Sequence, residues 1–179
     1  CRFSTPLDAR ASHRWGPIAP CARIEVNLHT PGLRWSGDAY LDSNEGDEPV
    51  EQGFRAWDWS RASLSDGSTA VIYDVRERGG VPPRLIAQRF AADGSHAPFV
   101  PPARQALQRS AWWVERATRS APDTPARVQH TLEDTPFYAR SVVAASLLGE
   151  RVTALHESLD VPRLVSWPVQ CMLPFRMPR

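Results

Sequence analysis

Two closely spaced pairs of residues could do acid chemistry: His13 and Trp15 in SHRWG, and Tyr40 and Asp42 in LRWSGDAYLD. In an extended chain, residues two apart point the same way, so each pair shares a face. Read as a strand, residues 33 to 42 place Leu33, Trp35, Ala39 and Leu41 on a core face. Arg34, Ser36, Asp38, Tyr40 and Asp42 then share the other face, which meets water or lines a polar patch inside a barrel. An acid, an imidazole and two aromatics are thereby available for proton transfer, or for a buried hydrogen-bond network that fixes a corner of the fold.

Asp42 also opens an acidic cluster, YLDSNEGDEPVE, with five carboxylates between residues 40 and 51. A helix-loop-helix calcium site needs oxygen ligands at loop positions 1, 3 and 5, Gly at 6 and a bidentate Glu at 12. Here Gly46, Asp47 and Gly53 fall at positions 5, 6 and 12, so the pattern fails and no metal is expected. Glu45, Asp47, Glu48 and Glu51 read as a solvated turn. In FRAWDWSRA, Trp57 and Trp59 share a strand face opposite Phe54, Ala56 and Asp58. Such stacking makes core, the wall of a cavity for a long apolar ligand, or a sugar-binding surface. His156 beside Glu157 reads as a structural histidine, because strand neighbours point to opposite faces. There is no nucleophile elbow, phosphate-cradling Gly loop or HExxH.

The elements that must position these residues are strands. Apolar and polar residues alternate, and Asp66-Gly67, Gly79-Gly80, Asp93-Gly94 and Gly149-Glu150 punctuate the alternation as hairpin-type turns. Strands so joined form antiparallel meanders, which close into barrels or pack as sandwiches to hide their edges. The fold class expected is all-β, up-and-down and barrel-like, in a single β-rich region over residues 1 to 179. HAPFVPPARQ, residues 96 to 105, is an internal connection, and SAPDTPA, residues 120 to 126, a second. Residues 104 to 119 suit a helix or a strand. MLPFRMPR, at the C-terminus, reads as a final strand in the core.

The 21 basic and 20 acidic side chains leave a formal charge of +1, spread along the chain, so no nucleic-acid partner is expected. Every cation is Arg. The three cysteines, Cys1, Cys21 and Cys171, lie far apart and read as buried free thiols. No run approaches the roughly 18 apolar residues of a membrane span, so the chain is expected to be soluble or at most peripheral. It opens on Cys rather than Met, which suggests a piece of something longer.

SHRWGPIAP, LRWSGDAYLDSN, FRAWDWSRA, EDTPFYARS, HESLDVPR and MLPFRMPR, in this order, resemble the C-terminal portion of the bacterial carotenoid 1,2-hydratases, or hydroxyneurosporene synthases. The resemblance implies a lipocalin-like barrel architecture, the C-terminal part of a larger two-barrel parent whose N-terminal domain precedes this region. It implies addition of water to the terminal isopropylidene double bond of acyclic carotenoids such as neurosporene and lycopene, with no cofactor. It implies a catalytic set of His13, Trp15, Tyr40 and Asp42, with Asp42 as the acid and the two aromatic faces stabilising a cation. His13 then either orients Asp42 or accepts the proton that water releases. Trp57, Trp59 and Asp38 are the expected substrate-side residues, Asp38 as a partner that helps Asp42 hold a proton. Substrates this insoluble imply a peripheral position on the cytoplasmic side of a bacterial membrane. The rival expectation is a non-catalytic lipocalin-like carrier of carotenoid or another lipid. A glycoside-cleaving domain ranks below both.

Overall fold

Alternation broken by Gly and Pro becomes strand through most of the chain. The computed structural model describes residues 3–175. Its strands are β1 (Thr5–Pro6), β2 (His13–Leu28), β3 (Leu33–Gly46), β4 (Phe54–Ser63), β5 (Thr69–Glu77), β6 (Arg84–Phe90), β7 (His96–Pro98), β8 (Arg104–Leu107), β9 (Arg116–Arg119), β10 (Arg127–Asp134), β11 (Tyr138–Leu147) and β12 (Glu150–Asp160). Short helices α1 (Val50–Gly53), α2 (Val161–Leu164) and α3 (Trp167–Met172) interrupt or follow them.

Every ladder is antiparallel. The main sheet runs β10-β11-β12-β4-β5-β6-β7, flanked by the sheets β1-β2-β3 and β8-β9. Two meanders thus join where β12 pairs with β4, and among the described residues no β7–β10 ladder closes a barrel. The turn between β11 and β12 is Leu148-Gly149, one residue earlier than the sequence suggests. Both residues have positive φ, 53° and 86°, as a two-residue hairpin with the right twist requires.

Strand β5 shows why the sheet is central. From Thr69 to Val75 every residue is buried, so TAVIYDV packs on both faces. Val71, Tyr73 and Val75 join Trp15, Phe54, Trp59 and Phe90 in the core under β1-β2-β3. Ala70 and Ile72 face the opposite core with Ala62, Leu147 and Ala154, where Phe99 and Ala126 also pack.

Several sequence expectations give way to local causes. A β-bulge between Phe54 and Ala56 shifts the alternation. Phe54 therefore joins Trp59 in one core, with Trp57 packed against it, instead of opposing them. Of the two alternatives open for residues 104 to 119, the strand is the one adopted, in the hairpin β8-β9. The C-terminal segment turns into α3, with Pro168 in its first turn, and leaves Leu173 and Phe175 exposed rather than in a core strand; residues 176–179 lie outside the described residues. Cys171 is exposed and Cys21 half-buried, and Cys1 also lies outside the described residues. Most consequentially, Leu33, Trp35 and Leu41, assigned to core by their alternation, are exposed, whereas Tyr40 packs against the core.

Under the β8-β9 hairpin sits a polar layer. His156 is fully buried, and its Nε2 donates to the Ala117 carbonyl at 2.8 Å. It is a structural histidine, and burial pushes its pKa down from 6.5. Between the lowered folded value and the unfolded value near 6.5, the unfolded chain binds a proton that the folded chain does not. Stability is therefore expected to fall as pH drops through about 6.5. Melting temperatures across this range, compared with those of His156→Gln, check this; parallel curves for the two proteins would contradict it.

Candidate active site

Strands β2 and β3 run side by side and put Trp15 opposite Asn44 and Pro17 opposite Asp42. Pro17 and Pro20 lack the N–H a ladder needs, and the register shifts fall around them, between Pro17 and Ala19 and between Ala19 and Ala22. Two bulges of one residue each restore the original alternation. Ahead of both bulges, Trp15 and Pro17 pair directly with Asn44 and Asp42, so His13, Trp15 and Pro17 share the inner face with Tyr40, Asp42 and Asn44.

Three of the four expected catalytic residues meet there. The Trp15 indole Nε1–H donates to Asp42 Oδ2 at 2.7 Å, and the Tyr40 hydroxyl donates to the same oxygen at 3.0 Å. Burial, followed by the charge of Asp42, pushes the Tyr40 hydroxyl pKa well above its ordinary range, so the phenol remains a donor. Trp15 is fully buried, boxed edge-on by Phe3, Tyr73 and Phe90 at centroid distances of 5.8, 6.0 and 6.2 Å. The Arg61 guanidinium lies over the Tyr40 ring, 5.4 Å from its centroid, with Trp59 tilted against the same ring at 5.5 Å. Burial lowers the Arg61 pKa, while Tyr40, Asp38 and Asp42 oppose that shift.

His13 lies two residues from Trp15 on the same face but belongs to another cluster. Its backbone N–H donates to Asp8 Oδ1 at 3.0 Å. Its Nε2 lies 3.0 Å from the Glu48 carbonyl, which can only accept, so Nε2 carries the proton. Nδ1 then faces Asp8 Oδ2 at 3.9 Å, and among the described residues neither atom has another partner. Phe54 packs on the ring at 4.6 Å. Two glycines leave room for it: a Cβ on Gly46 would stand 2.5 Å from His13 Cδ2, and one on Gly53 3.0 Å from Cε1. Gly46→Ala is therefore expected to displace the imidazole and cost about 1–3 kcal/mol. A urea melt together with the His13 ring resonances checks this, and an unmoved ring in an equally stable variant would contradict it. Asp8, His13 and Glu48 could together offer three ligand atoms to a cation. Arg10 already pairs with Glu48, so that carboxylate has its cation.

A cavity of about 260 Å³ opens beside this cluster, lined by His13, Asn44, Phe54, Trp57 and Tyr73. Trp15, Tyr40 and Asp42 stand behind its Tyr73 wall, and burial holds the Tyr73 phenol neutral by raising its pKa. Trp57 faces the cavity, while Trp59 is buried in the core. Asp38 is exposed, four residues from Asp42, and no hydrogen bond between them is described. The solvated-turn assignment also needs revision. Glu45 belongs to β3 and lines the cavity, Glu51 belongs to α1, and Glu48 is half-buried. Asp8, Asn44 and Tyr73 carried no signal in the sequence beyond their residue types, because a bend and two sheets bring them to the site.

The chain is similar in fold to a crystal structure of an AttH protein from Nitrosomonas europaea. The TM-score is 0.53 at 18% identity, covering 83% of this chain and 52% of that one, and this defines a lipocalin-like β class. The model of the carotenoid hydratase CrtC family matches residues 1–179, and the chain belongs to that family. It is 59% identical over 180 residues to the acyclic carotenoid 1,2-hydratase of Rubrivivax gelatinosus, covering all of this chain and 44% of that protein. The corresponding protein of Thiocapsa roseopersicina is 52% identical, with 97% and 42% covered. That of Cereibacter sphaeroides is 41% identical, with 97% and 61% covered. The chain thus spans less than two thirds of the length of these relatives.

Proposed function

We propose that this chain carries the acid centre of an acyclic carotenoid hydratase. The observation that carries the reading is the Asp42 carboxyl, gripped on Oδ2 by two neutral donors, Trp15 and Tyr40. That grip leaves Oδ1 to carry and deliver a proton. An unactivated alkene is a very weak base, so its protonation requires a placed acid and a shield for the tertiary cation. The π pair takes the Asp42 proton at the less substituted carbon, and the positive charge falls on the tertiary carbon. Water attacks that carbon, and its surplus proton returns to Asp42. The atoms balance with alkene, water and one carboxyl, so the reaction calls for no cofactor.

On this reading the aromatic roles differ from those the resemblance implies. Trp15 is enclosed edge-on and a face of Tyr40 already carries Arg61, so these two act as positioning donors. Trp57 and Tyr73 line the cavity and are better placed to shield a cation, each by about 2 kcal/mol when desolvated. His13, with Nε2 engaged and Nδ1 turned to Asp8, braces the cavity wall. At about 260 Å³ the cavity takes the end of a polyene and not its length. Because Asp42 stands behind Tyr73 rather than in the cavity wall, proton delivery requires the Tyr73 side chain to swing aside when substrate enters. The remainder of the substrate would stay in lipid, with the protein peripheral on the cytoplasmic side of the membrane.

A family-length protein carrying this chain is expected to convert dispersed lycopene into a product heavier by one water, with a tertiary hydroxyl detectable by mass spectrometry and NMR. Lycopene bound and recovered unchanged would instead identify a non-catalytic carrier.

A further inference from the structure

Beyond Ala22 and Ala39, β2 and β3 leave the core as a long two-stranded arm. Its inner face is polar, with Arg23, Glu25, Arg34, Ser36 and Asp38 exposed. Cα partners in an antiparallel pair share a face. The pairs Leu28 with Leu33, Val26 with Trp35, Ile24 with Gly37, Ala22 with Ala39 and Ala19 with Leu41 therefore line the outer face without a polar interruption. Ten residues of β2 at the usual strand rise make this face about 30 Å long. Leu28, Leu33, Trp35 and Leu41 are each 44–54% exposed along it.

The backbone edges of the arm are open as well. Among the described residues, β2 pairs on its far side only with Thr5 and Pro6 of β1, and β3 pairs with nothing but β2. An isolated two-stranded ribbon is marginal in water, and an apolar face of this length marks a buried surface. A lipid surface could cover the side chains. It could not satisfy the N–H and C=O groups along two open edges, which cost several kcal/mol each in hydrocarbon. Another stretch of β-structure does both.

We propose that the outer face and edge of this arm dock the part of the family's longer chains that this chain does not span, which adds strands to β3 and packs a sheet on Leu33, Trp35 and Leu41. The length of the relatives supplies an occupant of the right size, since the alignment covers only 44% of the Rubrivivax gelatinosus protein. Because Tyr40 and Asp42 sit on the opposite face of β3, the docked part would fix the strand that carries the acid. The inference rests on family membership and not on the chemistry assigned to Asp42.

Its test reads binding and not turnover. The residues of the Rubrivivax gelatinosus hydratase outside the aligned 180 are co-expressed with this chain, and the complex is examined by co-purification and amide hydrogen exchange. The expected result is a one-to-one complex, with exchange at Leu33–Leu41 slowed roughly tenfold or more. Capture should be lost in Leu33→Asp/Trp35→Asp, which lies on the exposed face and should retain the circular dichroism of the parent. Any of three results would overturn the proposal: no complex, protection confined to other strands, or capture undiminished in the double variant. Protection of the arm by self-association, or only by phosphatidylglycerol/phosphatidylcholine vesicles, would overturn it in favour of a second copy or of lipid.

Discussion

Asp58→Ala is expected to destabilise the fold by about 3 kcal/mol. Asp58 is 3% exposed, and its two oxygens tie four strands to β4. Oδ2 accepts from Arg76 on β5 at 3.2 Å and from Arg104 on β8 at 2.9 Å. Oδ1 accepts from Ser158 on β12 at 2.6 Å and from the Ala117 backbone on β9 at 3.2 Å. Removing one partner of a buried ion pair costs about 3–5 kcal/mol when the other charge is stranded. Here both guanidinium groups are about a third or more exposed and can return to water, which lowers the cost. The Ala117 N–H and Ser158 hydroxyl cannot, and each buried orphan costs about 1–3 kcal/mol. Urea denaturation checks the sum. A loss below about 1 kcal/mol would mean that the hairpin β8-β9 is held by its apolar contacts alone.

The antiparallel β class was legible because period-two alternation and Gly-centred turns are local signals. His13 and Trp15, and Tyr40 and Asp42, were paired by the same rule, which held because no bulge falls between the members of either pair. It failed at Phe54, because a bulge lies between Phe54 and Ala56. Alternation also cannot say which side of a strand is inside. Leu33, Trp35 and Leu41 form an apolar face that is bare here, while the mixed face carrying Tyr40 and Asp42 turns toward the core. Asp58 was invisible because its partners lie far along the chain, Ser158 being 100 residues away. The separation of His13 from the Asp42 cluster depends on the glycine slot and on the Glu48 carbonyl, which residue types alone do not disclose.

Asp42→Asn, introduced into a family-length protein, is expected to reduce hydration roughly 10²–10⁴-fold, the usual contribution of a placed general acid. The amide matches the carboxyl in size, and its oxygen can still accept from Trp15 and Tyr40, so the strand pairing and the aromatic box should survive. What it cannot do is release a proton to an alkene. Tertiary alcohol formation from lycopene by Asp42→Asn, measured beside the parent after matching melting temperatures and near-ultraviolet circular dichroism, tests this most directly. The account predicts a folded protein with product lost to that extent; tertiary alcohol formed at the parent's rate by a folded variant would contradict it.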